Sequence, residues 1–123
     1  MQLSETALSV IKRNGEVVAF DSEKIKNAVE KAVRAAKSEI SGELLNRLIV
    51  NIIEEIKVRF VDFYPNVENI QDVVEKHLIM NNLYEIAKAY ILYRDKRREE
   101  REKQQQVTLE KAHLGKLRIK KRD

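Results

Sequence analysis

Two adjacent cations, Lys12 and Arg13, precede Asn14-Gly15, a pair that favours a tight hairpin turn, and Lys24 follows within what reads as the first turn of a helix. Three cations near helix-end amides suit a polyphosphate, because hydrogen bonds to an ionised acceptor are strong and a helix N-terminus adds donors and a favourable dipole. A basic turn that only keeps the chain soluble has the same composition, so the residues alone leave both readings open. Other chemistry is sparse. The 123 residues contain no cysteine, which excludes disulfides, thiolate zinc, iron–sulfur clusters and thiolate catalysis within them. Glycine occurs only at positions 15, 42 and 115, so neither a P-loop nor a dinucleotide fingerprint can be assembled. His77 and His113 lie 36 residues apart without a His or Cys partner, and no metal site is expected. His77 reads as a packed or half-buried histidine and His113 as a solvated one. Glu54-Glu55 and Glu99-Glu100 are adjacent helical positions pointing about 100° apart, so they read as solvated charge rather than as acid–base pairs. No serine or threonine has the surroundings of an activated nucleophile.

The formal charge of +4 is unevenly placed. Residues 111–123 carry six cations against Asp123, which leaves residues 1–110 at −1. A near-neutral body has no broad footprint for a nucleic-acid backbone, and any basic site in it must be local. No apolar run approaches the roughly 20 residues of a membrane span, and the opening residues lack the pattern of a signal peptide, so the expected location is the cytoplasm. Three glycines, one proline and 36% charged residues predict long, regular, solvated elements.

The elements that must position the cations follow from periodicity. Residues 9–13 and 16–20 flank Asn14-Gly15 and predict a two-stranded hairpin over about 9–20, with a type I′ turn and positive φ at both Asn14 and Gly15. Asp21-Ser22 offers an N-cap to a first helix whose stripe is Ile25, Ala28, Val29, Ala32, Val33 and Ala36. Ser41-Gly42-Glu43 opens a second helix carrying Leu45, Leu48, Ile49, Ile52, Ile53, Ile56 and Phe60, with an expected end near Phe63. Tyr64-Pro65-Asn66 interrupts the pattern, and Asn66 caps a short third helix with Ile70, Val73, Val74, His77 and Leu78. After Asn81-Asn82, a fourth helix presents Leu83, Ile86, Ala87, Tyr90 and Ile91, and its apolar face fades at Asp95. All nine residues from Asp95 to Lys103 are charged, which predicts a solvated continuation of that helix, while residues 107–123 read as a linker. The fold class is α+β, mostly α: a β-hairpin cap over a small four-helix bundle.

Val10-Ile11-Lys12-Arg13-Asn14-Gly15, Phe20-Asp21-Ser22-Glu23-Lys24-Ile25, the set Ile70, Val74, Glu75 and Leu78, and Ala87-Lys88-Ala89-Tyr90-Ile91 with Tyr93-Arg94 resemble the ATP-cone domain. The resemblance spans residues 9–98, with 1–8 as an N-terminal extension and 99–123 as charged helix and basic linker. In that family a hairpin over a helical bundle binds ATP or dATP, most often as the overall-activity switch of ribonucleotide reductase. The segment Ala87–Arg94 is most similar to cones of the anaerobic and adenosylcobalamin-dependent reductases. The resemblance implies that Lys12, Arg13 and Lys24 contact phosphates, that Val10, Val18 and Ile25 line an adenine pocket, and that Lys96 reaches the phosphates from the fourth helix. Val67 stands at a contact position where some members place a hydroxyl residue.

The same resemblance implies a regulatory domain without catalytic residues, since reductase chemistry needs a cysteine-based radical. Its ligand is ATP or dATP, with magnesium, and its partner a neighbouring cone or reductase subunit. Regulation by such a module is linkage: two nucleotides share one pocket but favour different assemblies. A cone from the transcriptional repressor of reductase genes, whose zinc ribbon this sequence lacks, is one alternative. A ligand-free helical adaptor is another, and a nucleic-acid-binding tail over 111–123 a third. Ile119–Asp123 repeats Val10–Asn14 in residue type at a spacing of 109 residues, about one domain, which predicts the opening of a second cone.

Overall fold

The computed structural model describes the backbone of residues 8–122 and the side chains of residues 8–107. The extension over residues 1–7, His113 and the tail cations from Lys111 onward therefore lie outside the described residues or side chains. The order of elements is β1 (Leu8–Ile11), β2 (Val17–Phe20), α1 (Glu23–Ala35), α2 (Gly42–Arg59), α3 (Val67–Met80) and α4 (Tyr84–Arg122). The hairpin followed by four helices is the expected α+β arrangement, with β1 beginning one residue earlier than expected.

The strands pair antiparallel in the register Leu8↔Phe20, Ser9↔Ala19, Val10↔Val18 and Ile11↔Val17. Residues directly opposite one another share a face. Leu8, Val10, Val18 and Phe20 thus form one side, and Leu8 and Val10 are buried in the core with Val18 and Phe20 packed against it. This register corrects the turn. The Lys12 amide donates to the Glu16 carbonyl (2.8 Å), the Gly15 amide donates to the Lys12 carbonyl (2.9 Å), and within the turn positive φ falls on Gly15 alone (86°). The connection is a three-residue loop, a type I turn closed by a left-handed glycine, rather than type I′. A two-residue loop at Asn14-Gly15 would have paired Val10 with Ala19 and turned Val18 and Phe20 to the face opposite Leu8 and Val10. Burial selects the longer loop, and the Asn14 side chain supports it by accepting from the Glu16 amide at 2.9 Å.

The helices bury the predicted stripes. Val29, Leu48, Ile52, Ile56, Val73, Val74 and Leu78 are almost wholly removed from water, each worth about 1.5–3 kcal/mol relative to exposure. The first turns of α4 add Ile86, Ala87 and Tyr90 to the same core. Ser41 caps α2 by accepting from the Leu44 amide, and Asn66 with Asn69 forms a reciprocal cap at the start of α3. Lys37 (φ 54°) and Asn82 (φ 61°) end α1 and α3 in the left-handed conformation. The bonds Ser38 N–H to Val33 C=O and Leu83 N–H to Leu78 C=O complete a six-to-one closure at each end. The second helix stops at Arg59 rather than near Phe63, where Phe60 leaves helical geometry and packs edge-on against Phe63 at 5.3 Å. With 14 residues, α3 is longer than α1, so it is not the short element expected.

The chain divides into two compact units after Ile91. In the second, Arg98 pairs with Asp95 at 3.2 Å and Arg97 with Glu100 at 3.9 Å, as a mixed-charge helical run predicts. The linker expected over 107–123 is instead helical backbone as far as Arg122. Apart from Gly115 this stretch contains no strong breaker and is rich in Lys, Leu and Arg, which propagate a helix already begun. Ile119–Arg122 is accordingly helical, whereas its counterpart Val10–Arg13 is strand and turn held by β2. No helix among the described residues is long and apolar enough to cross a membrane.

Candidate functional site

Three short structural links position most of the predicted site residues within the first unit. The strand register places Val10 and Val18 directly opposite each other. Continuing that alternation, Lys12 and Glu16, joined by the Lys12 N–H to Glu16 C=O bond, are the next pair on the same side. A second link is the sharp passage from Phe20 into α1. Asp21 accepts from the Glu23 amide at 2.9 Å and its carbonyl accepts from the Lys24 amide at 3.0 Å, which sets Lys24 in the first turn and Ile25 facing the core. A third is the bond from the Ile11 amide to the carbonyl of buried Pro65 (3.0 Å), which ties β1 to the segment entering α3 and so to Val67.

The apolar members differ in what they present. Val10 and Ile25 are each 4% exposed and belong to the core, whereas Val18 is half-buried and packs against it. Val67 is 41% exposed at the first position of α3. Arg13 and Lys24 are exposed, and Lys12 pairs with Glu16 at 3.6 Å with more than half of each side chain in solvent. Lys96 is exposed on α4, in the second unit.

The helix-end amides expected to serve an anion are partly committed, because Asp21 already takes the Glu23 amide. Between residues 12 and 24 the three cations Lys12, Arg13 and Lys24 are matched by Glu16, Asp21 and Glu23. An anion bound here is therefore selected by directed contacts rather than by a strong positive field.

A second charged cluster was missed because its members are 21 and 22 residues apart in sequence. Glu55 on α2 accepts from Lys76 Nζ at 2.6 Å, lies 2.7 Å from His77 Nε2 and stands 3.6 Å from Arg59. The Lys76 hydrogen bond is the largest influence holding the Glu55 carboxyl below its ordinary value; burial opposes it and His77 assists. An ionised Glu55 makes Nε2 the protonated nitrogen of His77. His77 is packed as expected, at 8% exposure, but Glu55 is the ionic link between α2 and α3 rather than a solvated charge. The only sequence signal was a histidine on an apolar stripe, which needs a partner when buried. This link ties α2 to the last turns of α3.

An open groove of about 310 Å³ lies between the α1–α2 connection and the start of α4, lined by residues including Glu39, Ile40, Tyr84 and Glu85. It contains none of the predicted site residues. Among the described residues, no group of three His, Cys, Asp or Glu side chains is placed to hold a metal ion.

The family model for the ATP cone domain matches residues 8–99. The chain is 37% identical over 101 residues to the ribonucleoside-diphosphate reductase subunit alpha of Chlamydia pneumoniae, covering 76% of this chain and 10% of that protein. It is 35% identical over 104 residues to the vitamin B12-dependent ribonucleoside-diphosphate reductase of Thermoplasma acidophilum, covering 78% and 13%. It is 33% identical over 108 residues to the anaerobic ribonucleoside-triphosphate reductase of Haemophilus influenzae, covering 82% and 14%. The chain thus spans between 10% and 14% of the length of these curated relatives. A hairpin with its Lys-Arg-Asn-Gly turn, the helical body beneath it and a family match over three quarters of the sequence together place this chain in the ATP-cone domain family.

Proposed function

We propose that this chain binds ATP or dATP at the hairpin and serves as a regulatory module of a ribonucleotide reductase. The observation that carries the proposal is the single hairpin face on which the apolar pair Val10–Val18 is followed by Lys12, with Arg13 next in the turn. A flat base has apolar surface to lie against at one end of that face, and phosphates meet cations at the other. Val18 supplies the contact surface over the floor of Val10 and Ile25, and Val67 borders the site through the Ile11–Pro65 tie. Lys12, Arg13 and Lys24 hold the phosphates, with a magnesium ion accompanying the nucleotide and Lys96 as an additional phosphate contact from α4.

The chain carries no catalytic part in this reading. Its relatives are reductases, and their names point to a reductase as the parent protein. Nucleotide controls activity by favouring one arrangement of the cone against a neighbouring cone or subunit, and a differential affinity of ~1–3 kcal/mol shifts such an equilibrium ~5–150-fold. The expected compartment is the cytoplasm.

Isothermal calorimetry with ATP, dATP and GTP in magnesium tests the proposal. Binding of both adenine nucleotides with markedly weaker GTP is expected. Absence of heat with ATP at millimolar concentration contradicts it and favours a ligand-free adaptor, for which the exposed Val58, Val61, Phe63 and Tyr64 offer a surface.

A further inference from the structure

The hairpin loop places a carboxylate where the proposed ligand's phosphates would lie. Three bonds fix this placement: the Lys12 amide to the Glu16 carbonyl, the Gly15 amide to the Lys12 carbonyl, and the Glu16 amide to Asn14 Oδ1. The three-residue loop makes Lys12 and Glu16 the opposed pair that closes the hairpin, on the side already occupied by Leu8–Phe20 and Val10–Val18. Had the turn been type I′, Glu16 would stand opposite Arg13, and Lys12 would face Val17 instead. The observed loop thus creates the contact between Lys12 Nζ and Glu16 Oε1 at 3.6 Å, with 54% and 60% of the two side chains exposed.

We propose that Glu16 is an affinity-setting residue of this site: it holds the Lys12 ammonium and competes with the incoming phosphates for it, so that binding exchanges one counter-ion for another. The proposal rests on the nucleotide-binding reading above and adds a residue that this reading does not use. Asp21 is not equivalent, because its carboxylate accepts from the Glu23 amide, and Glu23 lies in the first turn of α1, where its charge favours the helix end. Glu16 is paired with a cation proposed to take phosphate. An ion pair this exposed is weak, so the competition adjusts affinity and does not block binding.

The test is calorimetry of the parent and Glu16→Gln chains with ATP and with adenosine, in chelator at low salt, then at about 0.5 M salt and with magnesium, alongside thermal melts of both. Glutamine keeps the shape and the backbone bonds, so the melting midpoints should agree. ATP is expected to bind the variant about 2–5-fold more tightly at low salt, the range set by an exposed ion pair, with the gain shrinking as salt screens it. Adenosine, which lacks phosphate, should bind both chains equally. Unchanged or weaker ATP binding by the variant, or an equal gain for adenosine, overturns the proposal while leaving nucleotide binding intact. A variant weakened only in magnesium makes Glu16 a cation ligand and likewise overturns it. Failure of both chains to bind ATP under any of these conditions overturns the underlying reading as well.

Discussion

Substitution of Gly15 by asparagine, alanine and valine isolates the backbone requirement at the hairpin tip. Gly15 has φ of 86°, and a Cβ there would meet no atom within 4 Å. Steric conflict with neighbouring groups therefore contributes nothing, and the cost is that of holding an L-residue in the left-handed region, about 1–2 kcal/mol. Asparagine, whose side chain tolerates that region, should lose least, alanine more, and β-branched valine most, about 2 kcal/mol or somewhat above. For a body of this size each kcal/mol moves the midpoint by about 4–8 °C, so the valine variant should melt about 10 °C lower. The loss should reach the nucleotide site, because β1 supplies Leu8 and Val10 to the core and Ile11 to the Pro65 carbonyl. Thermal melts and ATP calorimetry on the series provide the check. A valine variant with the parent's midpoint and affinity, or a ranking that places alanine above asparagine, would refute the loop geometry on which the site depends.

Other perturbations address the phosphate contacts, the ionic link and the tail. Arg13→Ala should weaken ATP at least about tenfold with little change in melting, since a charge-assisted bond contributes ~1.5–3 kcal/mol; calorimetry showing equal affinity removes Arg13 from the site. Glu55→Gln should cost about 1–2 kcal/mol near pH 7 in urea unfolding, because it removes the charge that accepts from Lys76 and His77 at a position only partly shielded from solvent. The folded Glu55 carboxyl lies below its ordinary value of 4.5, so its contribution is complete above that value and is lost as pH falls through the lowered one. The stability gap between parent and variant should therefore narrow below about pH 4.5; a gap that widens in acid contradicts the assignment. Deletion of residues 107–123 should leave the melting midpoint within about 2 °C of the parent and ATP affinity unchanged, since the core is complete by Tyr90.

Much of the fold was legible because each helix announces its buried side. The stripes at Ile25, Val29 and Ala32, and at Leu48, Ile52 and Ile56, recur every three or four residues, and the structure buries them against one another. Caps at Ser41 and Asn66 were equally legible, since a side-chain oxygen before an apolar run satisfies amides that the helix leaves unpaired. The turn was misread for a definite reason. Asn14-Gly15 reports tolerance of positive φ, but the loop length is decided by which registers keep Leu8, Val10, Val18 and Phe20 on one side, a requirement spread over both strands. The Glu55 cluster and the Ile11–Pro65 tie were invisible because they join residues far apart in sequence through packing of α2 on α3 and of β1 on the chain entering α3. Among the proposed site residues, Lys12, Arg13 and Lys24 were expected from turn and helix-end chemistry and family resemblance together. Val10, Val18, Ile25, Val67 and Lys96 came from resemblance alone.

The central claim is that an adenine nucleotide lies on the hairpin face, and amide chemical-shift mapping during an ATP titration tests it most directly. The predicted result is saturable shifts concentrated at residues 10–18 and at the start of α1 around Lys24 and Ile25, with adenosine reproducing those near Val10 and Val18 but not those at Lys12 and Arg13. Saturable shifts centred instead on the groove between the α1–α2 connection and Tyr84, or no shifts at millimolar ATP, would contradict it.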